Sequence, residues 1–158
     1  MELKRREEDY LEAIFEISKR KGKARTTDLA EHLGIKPASV TEMLQKLAAK
    51  GLLEYRRYSG VILSRKGEEV AQSVRERHNT IRELLKYLQV PPEIAQRDAC
   101  IMEHNLSPIT IIQLKKFINF IKNCPKNAPV WLEHFKKYSE TGEFDCNEEC
   151  EEKNLGKP

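Results

Sequence analysis

The sequence has no apolar run near the ~18 residues needed to span a bilayer, so a membrane-embedded chain is not expected. The opening stretch "MELKRREEDY" has no apolar region behind its charges, which argues against export and for the cytoplasm. In that compartment the four cysteines are expected as thiols or metal ligands, not as disulfides. No HExxH motif combines an open metal position with a general base, so a metalloenzyme is the weakest use of any metal cluster found here. No internal repeat is visible. What the chain does have is charge: 34% of its 158 residues are charged and 39% are hydrophobic. That composition suits one compact domain or two small ones. The net charge is only +3, yet it is segregated. Ser18 to Lys66 carries 12 Lys and Arg against 4 acids, and Glu143 to the end carries 6 acids against 2 Lys. A basic segment beside an acidic tail points to a polyanionic partner for the first region.

The first seventy residues read helix, helix, turn, helix, hairpin. Leu11, Ile14, Phe15 and Ser18 lie at helical spacing before Gly22. "ARTTDLAEHLGI" offers Thr26 and Thr27 as caps and stops at Gly34. In "KPASVTEMLQKLAAKG", Pro37 or Ala38 starts a helix, Val40, Leu44 and Leu47 form its stripe, and Gly51 ends it. Leu53, Tyr55, Val61 and Leu63 then sit in short β-type runs around "YSG". This order is that of a winged helix-turn-helix. The rest reads as helices: a long amphipathic one ending before Pro91, a second beginning at the prolines, and a third with Ser107 as N-cap and Pro108 at N1. Leu114, Phe117, Ile118 and Ile121 share a face of the third, more than one thin helical layer hides, which predicts a dimer interface. One further short helix is expected before the acidic end. The fold class is therefore mainly α, with a winged helix-turn-helix domain over 1–73, a helical metal-binding and dimerisation domain over 74–124, and a C-terminal extension over 125–158.

A helix-turn-helix reads the major groove with the N-terminal end of its second helix. Here that end offers Pro37, Ala38, Ser39, Thr41, Glu42 and Gln45 to base edges or phosphates, with a methyl for thymine from Ala38. Lys36 and Lys46 suit phosphate, and Arg56, Arg57 and Tyr58 of the wing could reach the flanking backbone or minor groove. Ser39 could equally be only a cap, and the arginines ordinary surface. Few long basic side chains stand at base-reading positions, so DNA shape and methyl contacts would carry much of the specificity.

In "DACIMEHNLS", residues three and four apart share a helical face, so Cys100, Glu103 and His104 project together. Thiolate, carboxylate and imidazole suit Fe(II), Mn(II), Co(II), Ni(II) or Zn(II). Asp9 and Glu12 on the first helix and His78 on the long helix are candidate partners. Each has an ordinary alternative: Cys100 as a small core residue, Asp9 and Glu12 as acids favoured by the helix dipole, His78 as an exposed neighbour of "RER". The tail's "CNEEC" would bring Cys146 and Cys150 onto one face if helical, and with Cys124 or His134 could form a second metal or redox site. The alternative is a solvated acidic tail with two exposed thiols.

The blocks "EDYLEAIFEI", "PASVTEMLQKL", "GLLEYRRYSGVILSRKGEEVA", "ERH" and "DACIMEHNLS" occur in an order and spacing that resembles the diphtheria-toxin-repressor and manganese-transport-regulator family of metal-dependent repressors, from about Glu7 to Leu114. The resemblance implies a winged helix-turn-helix joined to a helical dimerisation domain with metal held between them. It implies ligands at Asp9, Glu12, His78, Cys100, Glu103 and His104. Iron-type members usually have Met at the position of Asp9 and Cys at that of Cys100, and manganese-type members have Asp and Glu there. This chain mixes the two. A thiolate favours Fe(II) or softer ions and an added carboxylate favours Mn(II); Cys100 tips the expectation to Fe(II). The iron type's ancillary site needs an acid and a second His where this chain has Arg82 and Gln96, so that site is expected to be absent or rebuilt, for example around Glu12 and Glu103. About 30 residues follow the dimerisation helices, too few for the SH3-like third domain of many iron-type members.

The expected function is a homodimeric, metal-activated repressor of metal-uptake genes on a palindromic operator, with metal relieving repulsion among Asp9, Glu12 and Glu103. The alternatives are a winged-helix regulator responding to thiol oxidation or an organic ligand and, behind it, a metalloenzyme.

Overall fold

The computed structural model describes residues 3–56, 60–124 and 129–144. The chain divides into two compact units, Met1–His78 and Asn79–Pro158.

In the first unit, α1 (Arg5–Lys21) buries Leu11, Ile14 and Phe15 as their spacing predicts, and Gly22 closes it at φ 78°. Thr26 and Thr27 do not cap α2 (Thr26–Leu33). Arg25 is its N-cap residue, and Thr26 already belongs to the helix. The Asp28 carboxylate, in the first turn, reaches back and accepts the Arg25 backbone N–H at 3.1 Å. α2 ends at Gly34, φ 65°. Pro37 opens α3 (Pro37–Ala49), where a missing N–H costs nothing, and Val40, Leu44 and Leu47 are buried.

β1 (Leu53–Arg56) and β2 (Gly60–Leu63) pair antiparallel, with Leu53 opposite Leu63 and Tyr55 opposite Val61. That register puts all four predicted strand residues on one face, toward a core that includes Leu11, Ile14, Leu29, Leu44 and Leu47. The outer edge of β2 takes one more bridge, from Ala24, whose carbonyl accepts the Val61 N–H at 2.9 Å. Ser64 joins this wing to α4 (Arg65–Tyr87): its N–H donates to the Leu52 carbonyl, its hydroxyl donates to Gly51 O at 2.8 Å, and that hydroxyl accepts the Gly67 N–H at 3.1 Å. α4 is the long amphipathic helix expected to end before Pro91, and it ends at Tyr87.

In the second unit, Ile81 and Leu85 of α4 pack with Ala95 and Ala99 of α5 (Pro92–Met102) and Ile111 of α6 (Pro108–Lys122). Ser107 caps α6 as expected, accepting the Thr110 N–H at 3.2 Å. The predicted stripe on α6 divides: Ile118 and Ile121 are buried, Leu114 is half-buried, and Phe117 remains 39% exposed. On the other side of the helix Ile109, Ile112 and Phe120 are 72%, 51% and 61% exposed. The last helix, α7 (Val130–Thr141), stacks Trp131 on Phe117 with ring centroids 6.0 Å apart. Among the described residues no helix is long and apolar enough to cross a membrane.

Candidate functional site

The first candidate surface is the exposed side of α3. Lys36, Pro37, Ala38, Ser39, Glu42, Gln45 and Lys46 are all exposed, which follows from burial of the opposite stripe. The helix N-terminus is thus exposed, with Pro37 at N1. Thr41 is half-buried and spends its hydroxyl proton on the Pro37 carbonyl at 3.2 Å, leaving it a methyl and lone pairs for recognition. Two grooves flank the helix. One, of about 710 Å³, is lined by Arg6, Asp9 and Tyr10 of α1 together with Lys36, Ser39 and Glu42. The other, of about 600 Å³, lies between Thr41, Gln45 and Ala48 of α3 and Tyr55 of the wing. Arg56 is exposed at the end of β1; Arg57 and Tyr58 lie outside the described residues.

Sequence reasoning missed Glu7. It is 1% exposed, on α1, and Lys50 Nζ reaches both its oxygens at 2.8 Å. Lys46 Nζ lies 2.9 Å from Oε1, and the Lys4 backbone N–H donates to Oε2 at 3.0 Å. The Lys50 ammonium first, helped by Lys46 and the Lys4 N–H, holds the Glu7 carboxyl at about 2 although burial pushes the other way. Lys46 therefore serves a carboxylate of its own protein. The only sequence signal was the pair of lysines four apart, which share a helical face; the acid they hold is 43 positions away.

The second candidate is a cluster of metal-ligating side chains. His78, Cys100 and Glu103 each present a ligand atom, and these atoms all lie within 4.8 Å of one another. His78 and Glu103 are buried, 6% and 3% exposed. Cys100 is the open member, so it is not the core thiol of the ordinary alternative. His78 is likewise not the exposed neighbour of "RER". The single helical face expected for Cys100, Glu103 and His104 is shorter than predicted. α5 ends at Met102, Glu103 is its C-cap with helical φ and ψ of −58° and −28°, and His104 lies in the turn beyond. His104 still adjoins the cluster through Glu103: Nε2 is 3.2 Å from Oε1, with both side chains nearly inaccessible. A thiolate, a carboxylate and an imidazole at this separation fit a four- to six-coordinate divalent transition ion, whose ligands stand about 3 Å apart once bound.

Asp9 and Glu12 are both half-buried on α1. At the positions matching the ancillary site, the Arg82 guanidinium donates to Gln96 Oε1 at 3.4 Å, an arrangement with a fixed positive charge in it. Cys124 and His134 are half-buried and join no group of three potential ligands among the described residues; Cys146 and Cys150 lie outside those residues.

Residues 2–61 match the model of the iron dependent repressor N-terminal DNA binding domain, and residues 64–132 match that of the iron dependent repressor metal binding and dimerisation domain. The transcriptional regulator MntR of Escherichia coli O6:H1 is 42% identical over 110 residues, covering 70% of this chain and 71% of that protein. The HTH-type transcriptional regulator MntR of Geobacillus kaustophilus is 34% identical over 136 residues, covering 86% of this chain and 96% of that protein. Among solved structures, the manganese regulator SloR superposes with a TM-score of 0.64 at 31% identity over 75% of this chain. The chain spans 56% of the length of that structure.

Proposed function

Because the chain belongs to the iron-dependent repressor family of metal-dependent transcriptional regulators, we propose that it is a homodimeric DNA-binding repressor that a divalent metal activates. The family consists of regulators, not enzymes. The observation that carries the reading is the convergence of His78, Cys100 and Glu103 within 4.8 Å. His104, beside Glu103, is proposed as a further ligand, and Asp9 and Glu12 as the remaining ones on the strength of the family resemblance. A bound divalent cation supplies the positive charge that lets these carboxylates and the thiolate share one place.

The protein's own part is to present the reading helix. Ala38, Ser39, Thr41, Glu42 and Gln45 meet base edges, and Lys36, Lys46 and the wing arginines meet phosphates. Two α3 helices about one DNA turn apart read a palindromic operator. Binding of metal and of operator are then linked, each strengthening the other by the same factor. The regulated genes on this reading are those of metal uptake, and the protein works where the DNA is, in the cytoplasm.

Cys100 favours Fe(II) as the activating ion. A second reading, Mn(II), is favoured by Asp9 and by the likeness to the solved manganese regulator SloR. The test is duplex-DNA binding at constant salt with Fe(II) under anaerobic conditions, Mn(II), Zn(II) or a chelator. The expected result is strong operator binding with Fe(II) and at least a tenfold loss with chelator, about 1.4 kcal/mol. Equal affinity with and without metal would remove the proposal, and preference for Mn(II) would decide for the second reading.

A further inference from the structure

Lys46 of the reading helix and Lys50, its C-cap, meet one buried carboxylate, and they do not meet it equally. Lys50 reaches both oxygens of Glu7 at 2.8 Å and is 28% exposed. Lys46 reaches one oxygen at 2.9 Å and is 49% exposed. Glu7 carries one negative charge, so a single ammonium neutralises it, and a buried charge with one bidentate partner and a backbone N–H is already well served. The second lysine is then in excess. It stands on the exposed side of α3 and borders the same groove as Arg6, Lys36 and Ser39. A cation in that position can take a phosphate and release its condensed counterion, because Lys50 already holds the carboxylate.

We propose that Glu7 is a positioning residue which ties α3 to α1 through Lys50, and that Lys46 is an exchangeable cation which leaves Glu7 for a DNA phosphate when duplex binds. This rests on the DNA-binding reading above. Lys50 keeps the carboxylate neutralised while Lys46 is away, so the exchange exposes no unpaired buried charge. Without Lys50, Glu7 would have to retain Lys46, and the phosphate contact would be lost with the clamp.

The experiment uses the full chain with Mn(II) held constant and random-sequence double-stranded DNA as the probe, and measures affinity against KCl concentration beside urea unfolding. Each phosphate contact contributes about 0.9 to the log–log salt slope, which is about threefold in affinity between roughly 50 and 200 mM salt. Lys46→Met is expected to lower the slope by about one phosphate per protomer while leaving the unfolding midpoint nearly unchanged. Lys50→Met is expected to lower both the slope and the midpoint, and Lys50→Arg to keep both. The decisive variant is the double change Glu7→Gln with Lys50→Met. It releases Lys46 and restores the slope of the unaltered protein, a rescue that a merely structural clamp does not produce.

A Lys46→Met slope equal to that of the unaltered protein overturns the exchange. So does failure of the double variant to recover the slope, or equal destabilisation by Lys46→Met and Lys50→Met. If the unaltered protein binds no duplex under any metal, the DNA-binding reading itself fails, and that outcome is distinct from the other three.

Discussion

Cys100 offers the proposed metal site its one sulfur, a soft donor among otherwise hard and intermediate ones. Cys100→Ser is therefore expected to weaken Co(II) and Zn(II) binding by at least about tenfold, the lower bound for disturbing a metal's environment. It should also abolish the thiolate-to-metal absorption of the Co(II) complex, with less effect on Mn(II). An unchanged Co(II) spectrum would show that the sulfur is not a ligand. Asp28 makes a different prediction. The Lys21 ammonium, 2.5 Å away, and the Arg25 N–H hold its carboxyl below the usual carboxylate range. A carboxyl depressed in the folded state stabilises the fold above its unfolded value, and that contribution fades as pH falls toward the folded value. Asp28→Asn should thus lower stability at neutral pH and flatten the loss of stability below about pH 4, as read by urea titration at several pH values. Much at this scale was legible. Cys100 and Glu103 are three apart and the family blocks supplied His78, and these three do converge. Glu7 was not legible, because "EED" at the start of a helix already has an explanation in the dipole and its partners are remote in sequence.

At the scale of elements, helix and strand identity followed from periodicity, while boundaries followed from contacts that periodicity does not contain. α2 shows this well, since hydroxyls at Thr26 and Thr27 read as caps, yet the helix starts at Thr26 and Asp28 reaches back to the N–H of the N-cap Arg25. Thr26→Ala is accordingly expected to cost less than about 0.5 kcal/mol, below the ~1 kcal/mol of a lost cap. The start of α4 is the opposite case. A Cβ on Gly67 would stand 1.9 Å from the Leu52 carbonyl oxygen, a backbone atom with nowhere to go. Helix propensity alone would make Gly67→Ala favourable by about 1 kcal/mol. The clash outweighs it, and overpacking against backbone should give a net loss of about 2 kcal/mol or more. A thermal unfolding midpoint equal to or above that of the unaltered protein would contradict the close packing of wing against α4. The end of α5 differs from the sequence pattern for a related reason: the ligand spacing reads as one helix, yet the helix ends at Met102 with Glu103 as a C-cap of helical φ and ψ.

For the whole molecule, the apolar side chains of α6 decide how copies associate. The stripe that the sequence marked is used mainly inside the protomer, and the side chains left outside are Ile109, Ile112 and Phe120. An exposed group of this kind on a helix of a dimerisation domain fits a twofold interface. Phe120→Glu is expected to shift sedimentation from dimer to monomer with helical content unchanged, because Phe120 is 61% exposed and contributes little to its own protomer. Operator binding should fall with it, since a monomer presents one reading helix. A dimer of unaltered stability would remove this side of α6 from the interface.

The bridge from Ala24 along β2 bears on solubility. A strand with a free edge is a template for another chain. Here one edge of a ladder only four residues long is partly closed by the protein's own backbone. Gly60 makes the closure possible, with φ 92° and a place for Cβ only 2.8 Å from the Ala24 carbonyl oxygen. Any side chain at Gly60 would push Ala24 off and open that edge. Its first symptom would be light scattering on storage, before any change in the way the reading helix meets a base pair.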